Sequence, residues 1–188
     1  MKSLFHLFGF ALGLESAHSQ VTERELELLL RYSRGARTIC EIGCYEGRTS
    51  VALARNAGGN VYSIDPFFPG RLGICYSEWV ARLNRRRNGV RNLFFLKGLS
   101  EEIAPEFHLP IDFLFIDADH SYEAVKADWN GWFPKVRKGG YIALHDSKPA
   151  VNSRQLLGSM RYYFEDIPKL AGITECDSVD SLVILQCQ

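Results

Sequence analysis

Two short stretches of this 188-residue chain concentrate residues that could do chemistry. Asp117-Ala118-Asp119-His120 follows the apolar run Ile111-Asp112-Phe113-Leu114-Phe115-Ile116, and His145-Asp146-Ser147 follows Tyr141 to Leu144. Carboxylates beside an imidazole suit two chemistries. They can hold a hard divalent ion such as magnesium, and the histidine nitrogen also admits manganese or iron. They can also move a proton, because histidine titrates near neutrality. A metal at such a place would lower the pKa of a bound hydroxyl and orient it. For one such residue, helix capping or loop hydrogen bonding is the ordinary explanation. For Asp117, Asp119, His120, His145 and Asp146 converging at the ends of two strands, an active site is the better reading.

The stretch Ile39-Cys40-Glu41-Ile42-Gly43-Cys44-Tyr45-Glu46-Gly47-Arg48-Thr49-Ser50-Val51 carries the other signal. A short apolar run with an acid leads into two glycines four apart, and a helical pattern then begins. This is a strand, a tight turn and a helix N-terminus, where backbone N–H groups meet the polar part of a nucleotide-like ligand. The dinucleotide fingerprint G-x-G-x-x-G would need a second glycine that is absent. The phosphate-cradling G-x-x-x-x-G-K-[ST] would need one more intervening residue and a lysine where Arg48 stands. What remains, E-x-G-x-x-x-G, resembles the pattern of class I S-adenosylmethionine-dependent methyltransferases. Gly43 and Gly47 would let a ligand without phosphate lie against the backbone, with Glu41 below it. Asp65 stands 22 positions beyond Gly43, at the end of the next apolar run. An acid there grips a ribose diol in doubly wound folds; a turn aspartate before Pro66 is the bland alternative, and beside the glycine turn the ribose reading is preferred.

The elements that must position these residues can be read from apolar runs and breakers. A capping box, Thr22-x-x-Glu25, opens a helix that Gly35 ends. Strands are expected at 38–42, 61–64, 93–97, 111–116, 141–144, 173–176 and 181–185, with helices at 49–57, 77–88, 121–132 and 151–164. Ser100 should cap a short helix after the third strand, and Gly139-Gly140 should turn the chain into the fifth. The last two strands are too close for a crossover, so they form a hairpin and the final strand runs antiparallel. The fold class is therefore α/β: a doubly wound, Rossmann-like seven-stranded sheet, mostly parallel with an antiparallel last strand. Residues 38–188 form the main domain, and 1–37 an N-terminal arm and helix.

Twenty-two basic residues balance 22 acidic ones, so no global field draws the chain to nucleic acid or an anionic membrane. Five cysteines without a C-x-x-C pair fit reduced thiols in a cytoplasm; Cys40 and Cys44 read as packing residues. The arginines at 82, 85–87 and 91 read as a solvated helix end complementing its dipole. The apolar stretch from Met1 to Leu14 is too short to span a bilayer. It should pack on the domain or on a second subunit, which would make a homodimer.

Glu41-Ile42-Gly43-x-x-x-Gly47, Ile64-Asp65-Pro66, Ile116-Asp117-Ala118-Asp119-His120-Ser121-Tyr122, Lys138-Gly139-Gly140 and His145-Asp146 stand in one order and spacing. Together they resemble the class I methyltransferases that include macrocin-type and mycinamicin-type sugar O-methyltransferases and the cephalosporin-biosynthesis methylation component. The resemblance covers roughly 38–146, and D-x-D-H-S-Y is its most specific part. It implies transfer of the S-adenosylmethionine methyl group to a hydroxyl of a small molecule. It assigns Asp117, His145 and Asp146 as ligands of a magnesium or other divalent ion, and His120, helped by Asp117, as the catalytic base. Glu41, Gly43, Gly47, Ser50, Asp65, Ser100 and Asp117 would form the cofactor site. His145 is a departure, because several metal-dependent relatives carry an acid there; a metal-free enzyme relying on His120 is the alternative. Two rival functions are a non-catalytic S-adenosylmethionine- or nucleotide-binding module of the same fold and, less favoured, an NAD-dependent oxidoreductase.

Overall fold

β4, Ile111–Ile116, is buried along its whole length because it lies between two neighbours and under helices on both faces. A computed structural model describes residues 2–70, 73–149 and 157–188 of the chain. Around β4 the other strands are β1 (Thr38–Ile42), β2 (Asn60–Asp65), β3 (Leu93–Lys97), β5 (Val136–Leu144), β6 (Ile173–Val179) and β7 (Leu182–Cys187). They form one sheet in the order β3-β2-β1-β4-β5-β7-β6. The first five are parallel, and β7 runs antiparallel to both β5 and β6. The order reverses between β1 and β4, and the crevice outside such a switch point is where doubly wound sheets bind ligands.

The helices are α1 (Lys2–Leu12), α2 (Glu23–Tyr32), α3 (Arg48–Asn56), α4 (Tyr76–Arg87), α5 (Ser100–Ile103), α6 (Tyr122–Trp132) and α7 (Gly158–Glu165). Side-chain alternation along the strands feeds two cores. Leu114 and Ile116 join Trp129 and Trp132 of α6 on one face. Phe113 and Phe115 join Leu28 and Leu29 of α2 and Leu53 of α3 on the other. The expected capping box is complete: Thr22 Oγ1 accepts from the Glu25 N–H, and Glu25 accepts from the Thr22 N–H.

The N-terminal segment packs on its own domain. Phe10 of α1 is buried with Val80 of α4. Arg87 donates to the carbonyls of Phe10 and Ala11 at the end of α1 and lies over the Phe10 ring. One arginine of the basic cluster therefore caps a neighbouring helix. Among the described residues no helix is long and apolar enough to cross a membrane.

Several boundaries differ from expectation: β6 runs on to Val179, through residues expected as a loop, and β7 spans Leu182–Cys187. β5 begins at Val136, so Gly139-Gly140 lies inside the strand, where the pairing with β4 shifts register between Ile111 and Phe113. A bulge, rather than a turn, uses those glycines. Ser100 is the first residue of α5 and caps nothing. The helix expected from 151 is described only from Gly158, since its first part lies outside the described residues.

Candidate active site

A cavity of about 680 Å³ opens at the carboxyl ends of β1, β2 and β4, a size suited to enclosing a small organic ligand. The glycine turn forms its floor. Gly43 has φ +92°, and a Cβ there would lie 2.0 Å from the carbonyl oxygen of Asp117. The glycine is thus required by the adjacent end of β4 as well as by the turn itself. Gly47 begins α3 with φ +71° and faces Ala81 rather than the cavity. Its expected place against the cofactor is corrected to a packing role.

Asp65 lines the cavity, but its carboxylate is already engaged. One oxygen accepts from the backbone N–H groups of Cys44 and Tyr45, both at 2.9 Å, and the other from Phe67 N–H at 2.7 Å. It braces the glycine turn against β2. A carboxylate offers about four lone-pair sites, which leaves room for one further donor and not for the full grip on a diol.

Beneath the turn, Glu41 is 1% exposed and accepts from the hydroxyls of Ser63, at 2.6 Å, and Ser50. Burial pushes its pKa up to about 8, against the pull of those two hydroxyls, so the fold favours the protonated acid. Ser50 is wholly buried on Glu41 and Cys44. Its assignment to the cofactor site is therefore corrected: it supports Glu41 and does not reach the cavity wall.

At the opposite wall the Ser100 hydroxyl is not free, because it donates to Asp128. Asp128 is 5% exposed and lines the cavity, and burial raises its pKa to about 6. Sequence reasoning missed this acid. The signal was there, because Val125, Trp129 and Trp132 set the inward face of α6 and Asp128 falls on it.

The rim is organised by His145. Its Nδ1 lies 3.0 Å from an oxygen of Asp117 and 3.5 Å from one of Asp146, aligned as a good hydrogen bond with neither. Its Nε2 lies 3.2 Å from Glu25 Oε2. Burial opposes charge on this ring, but the carboxylates of Asp117, Asp146 and Glu25 outweigh it and raise the pKa to about 12. The same contact drives Glu25 down to about 2, against its own burial, and His145 lowers Asp146. Three carboxylates thus surround this ring and favour its protonated form.

Among the described residues, Asp117, His145 and Asp146 do not form a group that offers one ligand atom each within 4.8 Å of one another. The residues do not fit a divalent ion, and the expected set Asp117, His145 and Asp146 is corrected on this ground. The positive charge is supplied by the protein itself. Glu25, whose capping role was legible, brings a second function that sequence reasoning missed: it also accepts from Ser181 N–H and Oγ, and so ties α2 to the hairpin and to His145.

His120 sits on the cavity wall with its side chain 29% exposed, its Nε2 3.4 Å from Asp146 Oδ2. Asp117 also lines the wall, backed by His145. Asp119 accepts from Ser121 N–H at 2.7 Å, which lowers its pKa and gives it a loop-bracing role. The cavity thus gathers Glu41, Gly43, Asp65, Ser100, Asp117 and His120, and leaves Gly47, Ser50, His145 and Asp146 behind its walls. Tyr45, Phe68 and His18 complete its lining and were not anticipated.

Comparison with known proteins gives the same picture. A methyltransferase domain is matched over residues 40–147. An uncharacterized protein of Acanthamoeba polyphaga mimivirus is 33% identical over 138 residues. That match takes in 69% of this chain, which spans only 60% of the length of the curated relative. The O-methyltransferase from Bacillus cereus in complex with SAH superposes with a TM-score of 0.69 at 21% identity, over 100% of this chain and 91% of that one. TomG, an O-methyltransferase from Streptomyces achromogenes in complex with SAM, gives 0.72 at 18% identity, over 100% and 90%. The family match covers more than half of the chain and coincides with the glycine turn and the His120 rim, so this chain belongs to the class I methyltransferase-domain family.

Proposed function

We propose that the chain transfers the methyl group of S-adenosylmethionine to a hydroxyl of a small molecule, without a metal ion. The observation that carries this reading is the single cavity joining the glycine turn to His120. Its polar lining is dominated by carboxyl groups, among them Glu41, Asp65, Asp117 and Asp128. Such a lining suits a ligand with a sulfonium, an amine and ribose hydroxyls, and repels the pyrophosphate of a dinucleotide. Its one arginine, Arg48, is paired with Glu23. The O-methyltransferases from Bacillus cereus and Streptomyces achromogenes, with SAH and SAM respectively, support the same cofactor.

In this reading Gly43 and the backbone of the turn receive the methionine part, and Asp65 takes one ribose hydroxyl. Asp128, presented by Ser100, faces the remaining donor groups. The bound cofactor supplies an electrophilic methyl group. His120 accepts the proton of the acceptor hydroxyl through a ring nitrogen, and Asp146 stabilises the imidazolium that results. Asp117, held by His145, sets the negative charge beside the reacting region. Transfer of this kind depends mainly on positioning and a proton acceptor.

We assign methyl transfer to residues 38–188, with 1–37 contributing Glu25 to the rim and His18 to the cavity wall. An acceptor of the sugar-like, hydroxylated kind follows the macrocin and mycinamicin resemblance, and balanced charge favours it over nucleic acid. A cytoplasmic location follows from the free thiols. Phe5, Phe8 and Leu12, exposed on the outer face of α1, support a homodimer through this segment.

The test is a thermal-shift titration with S-adenosylhomocysteine beside NAD. At a hundred times its dissociation constant the correct ligand stabilises by about 2.7 kcal/mol. A shift with S-adenosylhomocysteine alone supports the reading. A shift with NAD alone overturns it.

A further inference from the structure

A second cluster of histidines and carboxylates lies where the N-terminal segment crosses the glycine turn. Among the described residues, His6, Glu15 and His18 are the one group of three whose ligand atoms all lie within 4.8 Å of one another. His6 Nδ1 faces Glu15 Oε2. His6 Nε2 lies 2.9 Å from Oε2 of Glu46, a carboxylate that also accepts from His18 N–H at 2.6 Å. The two imidazoles stack with centroids 3.9 Å apart and planes 14° apart.

We propose that His6, Glu15 and His18 bind a single Zn²⁺ ion, with Glu46 orienting His6 from its far nitrogen. Two imidazoles and one carboxylate, with a fourth position left to water, are a donor set zinc takes readily. A carboxylate on the second ring nitrogen of a ligating histidine fixes its tautomer and ring direction, and the buried Glu46 stands there. Glu15 and His18 are 47% and 57% exposed in their side chains. To reach the ion the His18 ring, whose Nδ1 lies 3.6 Å from Glu46 Oε2, turns its edge from the stacked position. The ion takes the Nδ1 lone pair of His6 while the Nε2 proton stays on the Glu46 contact, so a proton carried on Nδ1 is released to solvent on binding.

The consequence reaches the cavity. His18, Ser19 and Gln20 line its mouth, and Glu46 belongs to the glycine turn. An ion on this cluster would fasten the segment from His6 to His18 onto the turn through Glu46. The proposal does not depend on the reaction assigned above.

The experiment titrates Zn²⁺ alone into the metal-free full chain by calorimetry, for the wild type, His18→Ala and Glu15→Gln. Both changes fall on exposed side chains and leave folding intact. The expected result is one ion per chain, weakened by about tenfold or more in each variant. A cobalt complex should in addition lack a thiolate charge-transfer band. Absence of wild-type binding, equal affinity in all three proteins, or a thiolate band reporting capture by cysteine would each overturn the site.

Discussion

The rim around His145 and the cluster around His6 use the same residue types in different arrangements. At the rim, the imidazole is 4% exposed in its side chain and carboxylates stand off both nitrogens, with Glu25 buried beside it. Around His6, two of the residues reach solvent and can rearrange. What separates the two is burial and mobility, rather than the identity of the side chains. His6 is itself only 11% exposed, with a carboxylate on each nitrogen and a raised pKa; the difference lies in its partners Glu15 and His18, which bring their ligand atoms within 4.8 Å of one another and reach solvent.

Removing the rim's cation has the largest expected effect. His145→Gln leaves Glu25, Asp117 and Asp146 uncompensated, and costs about 3–5 kcal/mol in urea unfolding at pH 7. Without His145, Glu25 and Asp146 regain higher pKa values, so the deficit shrinks as pH falls and they take up protons. Magnesium should restore none of it; restoration would mean that the rim is a metal site after all.

His120→Ala should lower turnover by about 10²–10⁴-fold, read as S-adenosylhomocysteine release with any acceptor the wild type methylates from a panel of small hydroxylated molecules. Binding of S-adenosylhomocysteine should be unchanged. Undiminished turnover would remove His120 from the chemistry and leave the rim with a structural role.

A smaller effect separates Glu41 from both clusters, as a buried acid with no cation. Its folded pKa of about 8 lies above its ordinary 4.5. Between these values the unfolded chain has released a proton that the folded chain keeps, so stability falls as pH rises. The slope approaches about 1.4 kcal/mol per pH unit. His145 contributes in the same direction above about pH 6.5, because its folded pKa is raised. Glu41→Gln should reduce the slope between pH 4.5 and 8, leaving the contribution of Asp128 below about pH 6. An unaltered stability profile would show that Glu41 is ionised in the fold.

The frame was largely legible in the sequence. β1, β3 and β4 occupy the expected residues because each is an apolar run bounded by breakers. The capping box of α2 was legible because it is a local pattern. The second role of Glu25 was not, since its partners His145 and Ser181 lie 120 and 156 positions away. Asp65 shows a different limit. An acid at the end of β2 satisfies a ribose and a backbone turn equally well in sequence, and only the three N–H groups around it reveal how much of its capacity the turn consumes. The protonation state of His145 was hidden for a related reason, because it is set by three carboxylates from separate elements. Ser100 was read as a cap because Asp128, its actual partner, sits on another helix.

The central claim is that His145 supplies the rim's positive charge in place of a metal. Nitrogen-15 NMR of histidine-labelled protein at pH 8 tests it directly. The account predicts two protonated ring nitrogens for His145, identified by its loss in His145→Gln or by through-space contact with Phe115, and no change when Mg²⁺ is added. A neutral ring whose unprotonated nitrogen shifts on adding Mg²⁺ would contradict it.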